Sequence, residues 1–226
     1  MKVSVIIPTM NEAESIGVVI DQVIDAFSQS GYDAEVIVVD TSSTDGTKEI
    51  ALSKGAMVVD EPRRGYGRAY KTGFQNADGD LIATLDADCT YPAETLPELC
   101  AMIGEDLDFI TTNRFAHLED GAMSAKHRFG NWVLTFTMNL LFRTGFKDSQ
   151  SGMWVFKREV LDSIDLTSDG MPLSEEIKIE AYQKCQAKEV PIEYRRRVGE
   201  VKLSSWTDGR QNLVFLWKKR FFKGSL

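Results

Sequence analysis

A chain of 226 residues with 43% hydrophobic and 27% charged side chains has the balance of a soluble globular protein, which excludes a disordered or fibrous one. Its 34 acidic and 26 basic residues give a net charge of −8, so nucleic acid is not an expected partner and any anionic ligand must be met by local cations. The three cysteines, Cys89, Cys100 and Cys185, form no paired spacing and support neither a disulfide framework nor a thiolate zinc site, which points to a reducing cytoplasm.

The chain opens on an apolar run, 3–7, cut off by Pro8, which reads as a strand and lacks the pattern of a secretory signal. Ile16, Val19, Ile20, Val23, Ile24 and Phe27 then recur at helical spacing, with Asn11 placed to cap the helix and Glu14 three residues later. Further strand-like runs fall at 35–39, 57–59, 81–85 and 109–111. Between them, one helix is expected from the Ser/Thr/Asp-rich turn 41–45 to Gly55, and another over 66–77. The alternation predicts an α/β fold, a single domain whose mostly parallel, Rossmann-like sheet is flanked by helices and binds ligands at the carboxyl ends of its strands.

Beyond about residue 112 the pattern changes to a long helix over 124–143, a short strand at 152–156, a helix over 173–187 and an edge-like strand at 190–194. The domain therefore divides into two functional halves, 1–112 and 113–226, the second built onto the first like an acceptor side. The longest apolar stretch, 132–142, is interrupted by Thr135, Thr137 and Asn139 and falls short of the roughly 20 residues that cross a bilayer. No membrane span is expected.

The chemistry concentrates at predicted strand ends. The strand 81–85 runs into Asp86-Ala87-Asp88, and on extended backbone residues i and i+2 project to one side, so both carboxylates can reach one cation. With only His117 and His127 available as imidazoles, that metal would be magnesium or manganese on oxygen ligands, shared with a nucleotide diphosphate. Asp40 ends the second strand and is placed to accept from a nucleobase or ribose, while the following Ser/Thr cluster caps a helix. The loop around Gly65 and Gly67 lacks the third glycine of a dinucleotide fingerprint, but Arg63, Arg64 and Lys71 beside it are candidates to neutralise phosphates, against the alternative of ordinary surface charge.

Taken in order, Pro8-Thr9-Met10-Asn11-Glu12, Asp40, Asp45-Gly46-Thr47, Pro62-Arg63-Arg64-Gly65, Gly79-Asp80 and Asp86-Ala87-Asp88 resemble the family 2 glycosyltransferases of the GT-A fold. Asn113-Arg114, Arg128, Asp148-Ser149-Gln150-Ser151-Gly152 and the stretch from Pro191-Ile192-Glu193-Tyr194 through Arg197 to Lys202 resemble the polyprenyl-phosphate (dolichyl-phosphate) mannose and glucose synthases. The resemblance implies that Pro8, Glu12 and Asp40 line the nucleoside pocket of GDP-mannose or UDP-glucose, and that Asp86 and Asp88 hold the metal on its diphosphate. It implies further that Arg114 and Arg128 receive the acceptor phosphate beside Asp148 and Ser151, and that Arg197 and Lys202 approach the phosphates from a C-terminal loop. Catalysis would then rest on Asp88, Arg114 and Arg128. The sequence departs from many relatives at Met10, Thr41 and Thr90, where an aromatic, an acidic and a metal-reaching residue are common.

An acceptor phosphate is already anionic and needs no general base, whereas a hydroxyl acceptor on a glycan or small molecule would need Asp148, Glu175 or Glu176. A sugar-1-phosphate nucleotidyltransferase is the rival from another class, disfavoured because no glycine-rich loop follows the first strand. A lipid-linked acceptor implies peripheral contact with the cytosolic membrane face. The segments suited to it are the apolar helix carrying Phe129, Trp132, Phe136 and Leu140, and the aromatic, cationic stretch 213–223.

Overall fold

The computed structural model describes residues 1–199 and 205–222. The chain alternates β1 (Lys2–Thr9), α1 (Ile16–Phe27), β2 (Asp33–Asp40), α2 (Thr47–Ser53), β3 (Met57–Asp60), α3 (Tyr66–Asn76) and β4 (Leu81–Thr84). A short 3-10 turn (Ala93–Thr95) leads into α4 (Leu96–Met102), followed by β5 (Phe109–Leu118), α5 (Ala125–Phe142) and β6 (Trp154–Lys157). The chain then forms α6 (Val160–Ser163), α7 (Leu173–Lys184), β7 (Ala187–Tyr194) and α8 (Ser205–Phe221).

The strands form one seven-stranded sheet in the order β3-β2-β1-β4-β6-β5-β7. Neighbours pair in parallel except β6, which runs antiparallel to both β4 and β5. That reversal matters for the site. Because β6 runs backwards, the residues that lead into it, 148–153, arrive at the same edge where β4 and β5 end. Register aligns Thr9 with Asp40 and Asp40 with Asp60, so the carboxyl ends of the first three strands form one rim.

Both faces of the sheet are buried, as a parallel sheet with crossover helices requires. Val3, Val5 and Ile7 of β1 point to the side covered by α1 and α4, against Ile16, Ile20, Val23 and Leu99. Ile6, Ile37 and Val39 point to the other side, against Tyr70 and Phe74 of α3 and Leu173 and Ile177 of α7. Each such side chain taken fully out of water contributes roughly 1.5–3 kcal/mol. A third cluster, Met138, Phe146, Ile179, Phe215 and Leu216, holds α5 and α8 to the outer side of α7.

Two local readings are corrected. Asn11 does not cap α1, whose N-cap is Ser15. Instead Asn11 takes a left-handed φ of 56°, and its side chain accepts the Thr44 N–H at 2.8 Å, tying the β1–α1 loop to the β2–α2 loop. The Ser/Thr cluster does not cap α2 either: Gly46 stands at the N-cap with φ 95°, and Asp45 accepts the Thr47 N–H at 3.1 Å.

Candidate functional site

The expected carboxylates do converge on the carboxyl rim. Leu85 extends β4 by donating its N–H to the Ile6 carbonyl at 3.1 Å, and the chain then turns through Asp86-Ala87-Asp88, with Cys89 in left-handed conformation at φ 62°. Asp88 is buried; its Oδ1 accepts the Thr90 hydroxyl at 2.6 Å and the Thr90 N–H at 3.1 Å, and its Oδ2 lies 3.0 Å from Arg197 Nη1. Thr90 thus serves to fix the Asp88 carboxylate. Asp86 is half-buried, with the Tyr70 hydroxyl 3.4 Å from its Oδ1. Burial, and then the adjacent Asp88 charge, push its carboxyl up to about 7 against the opposing pull of Arg114 and Arg197.

Two crowded carboxylates of this kind fit a hard divalent cation. Among the described residues no third histidine, cysteine or carboxylate joins them in metal-binding geometry, so the remaining oxygens of such an ion would come from water or a diphosphate.

On the neighbouring strand end, fully buried Asp40 accepts the Thr9 hydroxyl at 3.1 Å and the Ser43 N–H at 2.9 Å, so it shapes the loop it was expected to serve as a nucleotide contact. Pro8 is half-buried at the end of β1. Glu12 donates its N–H to Thr47 Oγ1 at 2.8 Å and receives Arg197 Nη2 at 3.3 Å on its carboxylate.

The second half contributes a buried ion pair. Arg114, beyond the middle of β5, grips Asp148 through Nε at 2.7 Å and Nη2 at 2.9 Å, and its guanidinium lies 5.3 Å from the centre of the Tyr194 ring. Burial alone would raise the Asp148 carboxyl, but Arg114 and Lys178 together outweigh it and hold the group below its ordinary value. Ser151 is bonded to the Thr112 hydroxyl at 2.6 Å, and Gly152 donates its N–H to the Tyr91 hydroxyl at 2.7 Å. A side chain at Gly152 would overlap the Tyr66 hydroxyl unless that ring moved aside.

One expected residue is placed otherwise. The Lys71 ammonium pairs with Asp169 at 2.7 Å and reaches the Thr167 carbonyl at 3.3 Å, so it anchors the loop before α7 and is not directed at a donor phosphate. Arg128 is exposed in the first turn of α5, outside the buried Arg114–Asp148 pair. Lys202 lies outside the described residues. The Gly65 and Gly67 pair also has a packing role: a Cβ at Gly65 would overlap the Asp169 carbonyl oxygen, and one at Gly67 that of Ser168.

Sequence reasoning missed Lys178, fully buried on α7, whose ammonium donates to the Asp148 carbonyl at 2.9 Å and whose pKa burial lowers to about 7. Its signal was present, a lysine set between Ile177 and Ile179. Glu175, weighed as a base, is fully buried, accepts Gln150 Nε2 at 2.8 Å through Oε1 and has no partner for Oε2 among the described residues; burial pushes it up to about 8. Glu176 accepts the N–H groups of Thr167 and Ser168 at 3.1 and 2.8 Å.

The topology is that of the GT-A fold. A solved glucosyl-3-phosphoglycerate synthase from Mycobacterium tuberculosis, in complex with Mn2+, UDP and glucosyl-3-phosphoglycerate, superposes with a TM-score of 0.77 at 21% identity, covering 97% of this chain and 79% of that chain. The glycosyl transferase family 2 model matches residues 4–165, and the chain belongs to this family. It is 40% identical over 217 residues to the low-salt glycan biosynthesis hexosyltransferase Agl6 of Haloferax volcanii, covering 94% of this chain but only 52% of that protein. It is 34% identical over 210 residues to the dolichyl-phosphate hexose transferase of the same organism, covering 91% of this chain and 88% of that protein. The chain thus spans about half the length of the first relative and most of the second.

Proposed function

We propose that the protein is an inverting glycosyltransferase that moves one hexose, mannose or glucose, from a nucleotide sugar to a polyprenyl (dolichyl) phosphate. In this reading residues 1–112 bind the donor and 113–226 the acceptor, and the enzyme works at the cytosolic face of a membrane. The likeness to the dolichyl-phosphate hexose transferase, which extends over 88% of that protein, supports it.

The observation that carries the choice of acceptor is the state of the three carboxylates that would activate a hydroxyl. Asp148 is committed to Arg114, Glu176 to the backbone of the 167–168 turn, and Glu175, pushed up to about 8, keeps its proton at neutral pH. No ready base remains among them. A phosphate acceptor needs none, since it is anionic at neutral pH, and catalysis then reduces to positioning and charge stabilisation.

Asp86 and Asp88 would hold magnesium or manganese, which would neutralise the leaving diphosphate when bound. Pro8, Glu12 and Asp40 border the place of the nucleoside. Arg114, through the guanidinium edge that Asp148 leaves, and Arg128, exposed at the start of α5, would orient the acceptor phosphate, because a guanidinium stays charged and can bond to phosphate oxygens. Glu175 Oε2, which has no partner among the described residues, is the feature that favours a hydroxyl acceptor instead.

A product assay decides the matter: GDP-mannose and UDP-glucose are offered separately with a short polyprenyl phosphate and Mn2+ or Mg2+, to wild type, Asp88→Ala, Arg114→Ala and Glu175→Gln. Glycolipid from one donor, lost in Asp88→Ala and Arg114→Ala but kept in Glu175→Gln, is expected. Metal-dependent donor hydrolysis with no glycolipid would discard the phosphate acceptor and keep the donor site.

A further inference from the structure

Three consecutive arginines follow β7, and each is taken by a different part of the protein. Arg195 pairs with Glu94 and with Glu193, the latter at 2.9 Å. Arg196 lies 3.5 Å from Glu119 and donates to the Asp120 carbonyl at 2.7 Å. Arg197 alone enters the rim, where Nη1 is 3.0 Å from Asp88 and Nη2 is 3.3 Å from Glu12. The backbone pins this strap beside the turn that follows β4: Arg195 N–H donates to the Thr90 carbonyl and Val198 N–H to the Asp88 carbonyl, both at 2.9 Å.

The guanidinium therefore sits on the carboxylate that the proposed function assigns to the metal. It is held incompletely. Its Nε is buried and has no acceptor among the described residues, an arrangement that costs free energy unless a further anion arrives. One cation bridging two carboxylates while keeping a spare donor is suited to changing partners. A divalent ion carries twice the charge and binds carboxylate oxygen directly, and the diphosphate that accompanies it offers the oxygen atoms that Arg197 lacks.

We propose that Arg197 and the divalent cation are alternative occupants of Asp88: the guanidinium holds Asp88 and Glu12 until the metal and the nucleoside diphosphate enter, and then transfers to the phosphates. This rests on the reading of Asp86 and Asp88 as metal-holding residues and adds to it a built-in counter-ion. The exchange makes metal alone a weak ligand and metal with diphosphate a strong one, so a bare ion does not occupy the site unproductively. No covalent bond changes; one ion pair is given up for a metal–oxygen contact, and another ion pair forms.

The test is a Mn2+ titration followed by electron paramagnetic resonance, with Mn2+ alone and with Mn2+ plus UDP or GDP, on wild type, Arg197→Ala and Arg195→Ala. Removing the competitor is expected to tighten binding of Mn2+ alone about tenfold, the equivalent of one charge-assisted hydrogen bond, and to weaken binding of Mn2+ with diphosphate by a similar factor. Arg195→Ala removes the same charge from the same strap and is expected to stay within about twofold of wild type in both titrations. The opposite signs at Arg197 are the diagnostic result, since loss of a merely structural contact weakens both.

Arg197→Lys keeps the charge but offers one ammonium where the fork spans two carboxylates, so it is expected to fall between wild type and Arg197→Ala, and it serves if the alanine variant fails to fold. Equal binding of Mn2+ alone by wild type and both Arg197 variants overturns the exchange while leaving the metal site intact. If wild type takes up no Mn2+ even with diphosphate, the metal reading and the exchange fall together.

Discussion

Glu175 shows how much a single buried residue reports about the reaction. Its folded pKa, pushed up to about 8 by burial, lies above the ordinary value of 4.5, so the folded state binds the proton more tightly than the unfolded chain. The stability it confers is fully present below about pH 4.5 and is lost as the pH rises towards 8. Glutamine matches the protonated carboxyl in shape and does not titrate. The stability of Glu175→Gln relative to wild type is therefore expected to grow between about pH 4.5 and 8 and to be flat below, as read by denaturant unfolding at a series of pH values. A constant difference across that range would show that Glu175 is ionised in the folded protein, and would return it to candidacy as a base.

At the level of elements, the start of α3 depends on two glycines that resemble part of a phosphate-binding loop yet serve packing. Replacing an exposed helical glycine by alanine ordinarily stabilises by about 1 kcal/mol. At Gly67 the sign is expected to reverse. The added methyl would overlap the Ser168 carbonyl oxygen and stand 3.0 Å from the Gly170 carbonyl oxygen and the Leu173 Cβ, with no flexible chain end among these neighbours to yield. Gly67→Ala is expected to destabilise by roughly 1–3 kcal/mol, seen as a lower urea midpoint at unchanged m-value. A midpoint equal to or above that of wild type would show that the 168–170 segment moves aside freely.

This helix also marks the limit of what local pattern shows. The apolar spacing of Ile16, Val19, Ile20, Val23 and Phe27 placed α1 because burial of one helical face is written in the spacing itself. Strand ends placed Asp40, Asp86 and Asp88 on one rim for a similar reason, since β–α alternation makes the strands parallel and brings their carboxyl ends to one side. What escaped was pairing across sequence distance. Lys71 read as a phosphate ligand because Asp169, its partner, is remote in the chain, and Asn11 read as a cap because Thr44 belongs to another loop. The outer half of β5, beyond the expected 109–111, exists because β7 pairs with it through Leu118 and Tyr194, across a bulge.

Across the whole molecule, the surface is divided by charge and greasiness in a way that argues for a membrane partner. No helix among the described residues is long and apolar enough to cross a membrane. Yet α5 exposes Phe129, Trp132, Phe136 and Leu140 on one stripe, each more than half accessible, and the successive rings stack at 6.0 and 5.7 Å. Trp217 and Phe221 of α8 stack at 5.3 Å and are exposed as well, beside exposed Lys218 and Arg220. The two helices pack together through Met138, Phe215 and Leu216, which makes the aromatic ladders parts of one rigid unit. Exposed apolar area of this kind on a protein with net charge −8 suits the interfacial region of a bilayer, where aromatic rings bury and nearby cations meet anionic headgroups. In a flotation assay the protein is expected to rise with vesicles containing phosphatidylglycerol more than with phosphatidylcholine alone, and less as salt is raised. Trp132→Ala combined with Trp217→Ala is expected to lower partitioning at least about tenfold, since each indole removes a large apolar area from the contact. The same double variant is expected to keep its activity towards a short, water-soluble polyprenyl phosphate, because neither ring lies among the rim residues. Equal flotation of wild type and double variant would place the membrane contact elsewhere, and absence of flotation with any vesicle would remove it from the proposed function.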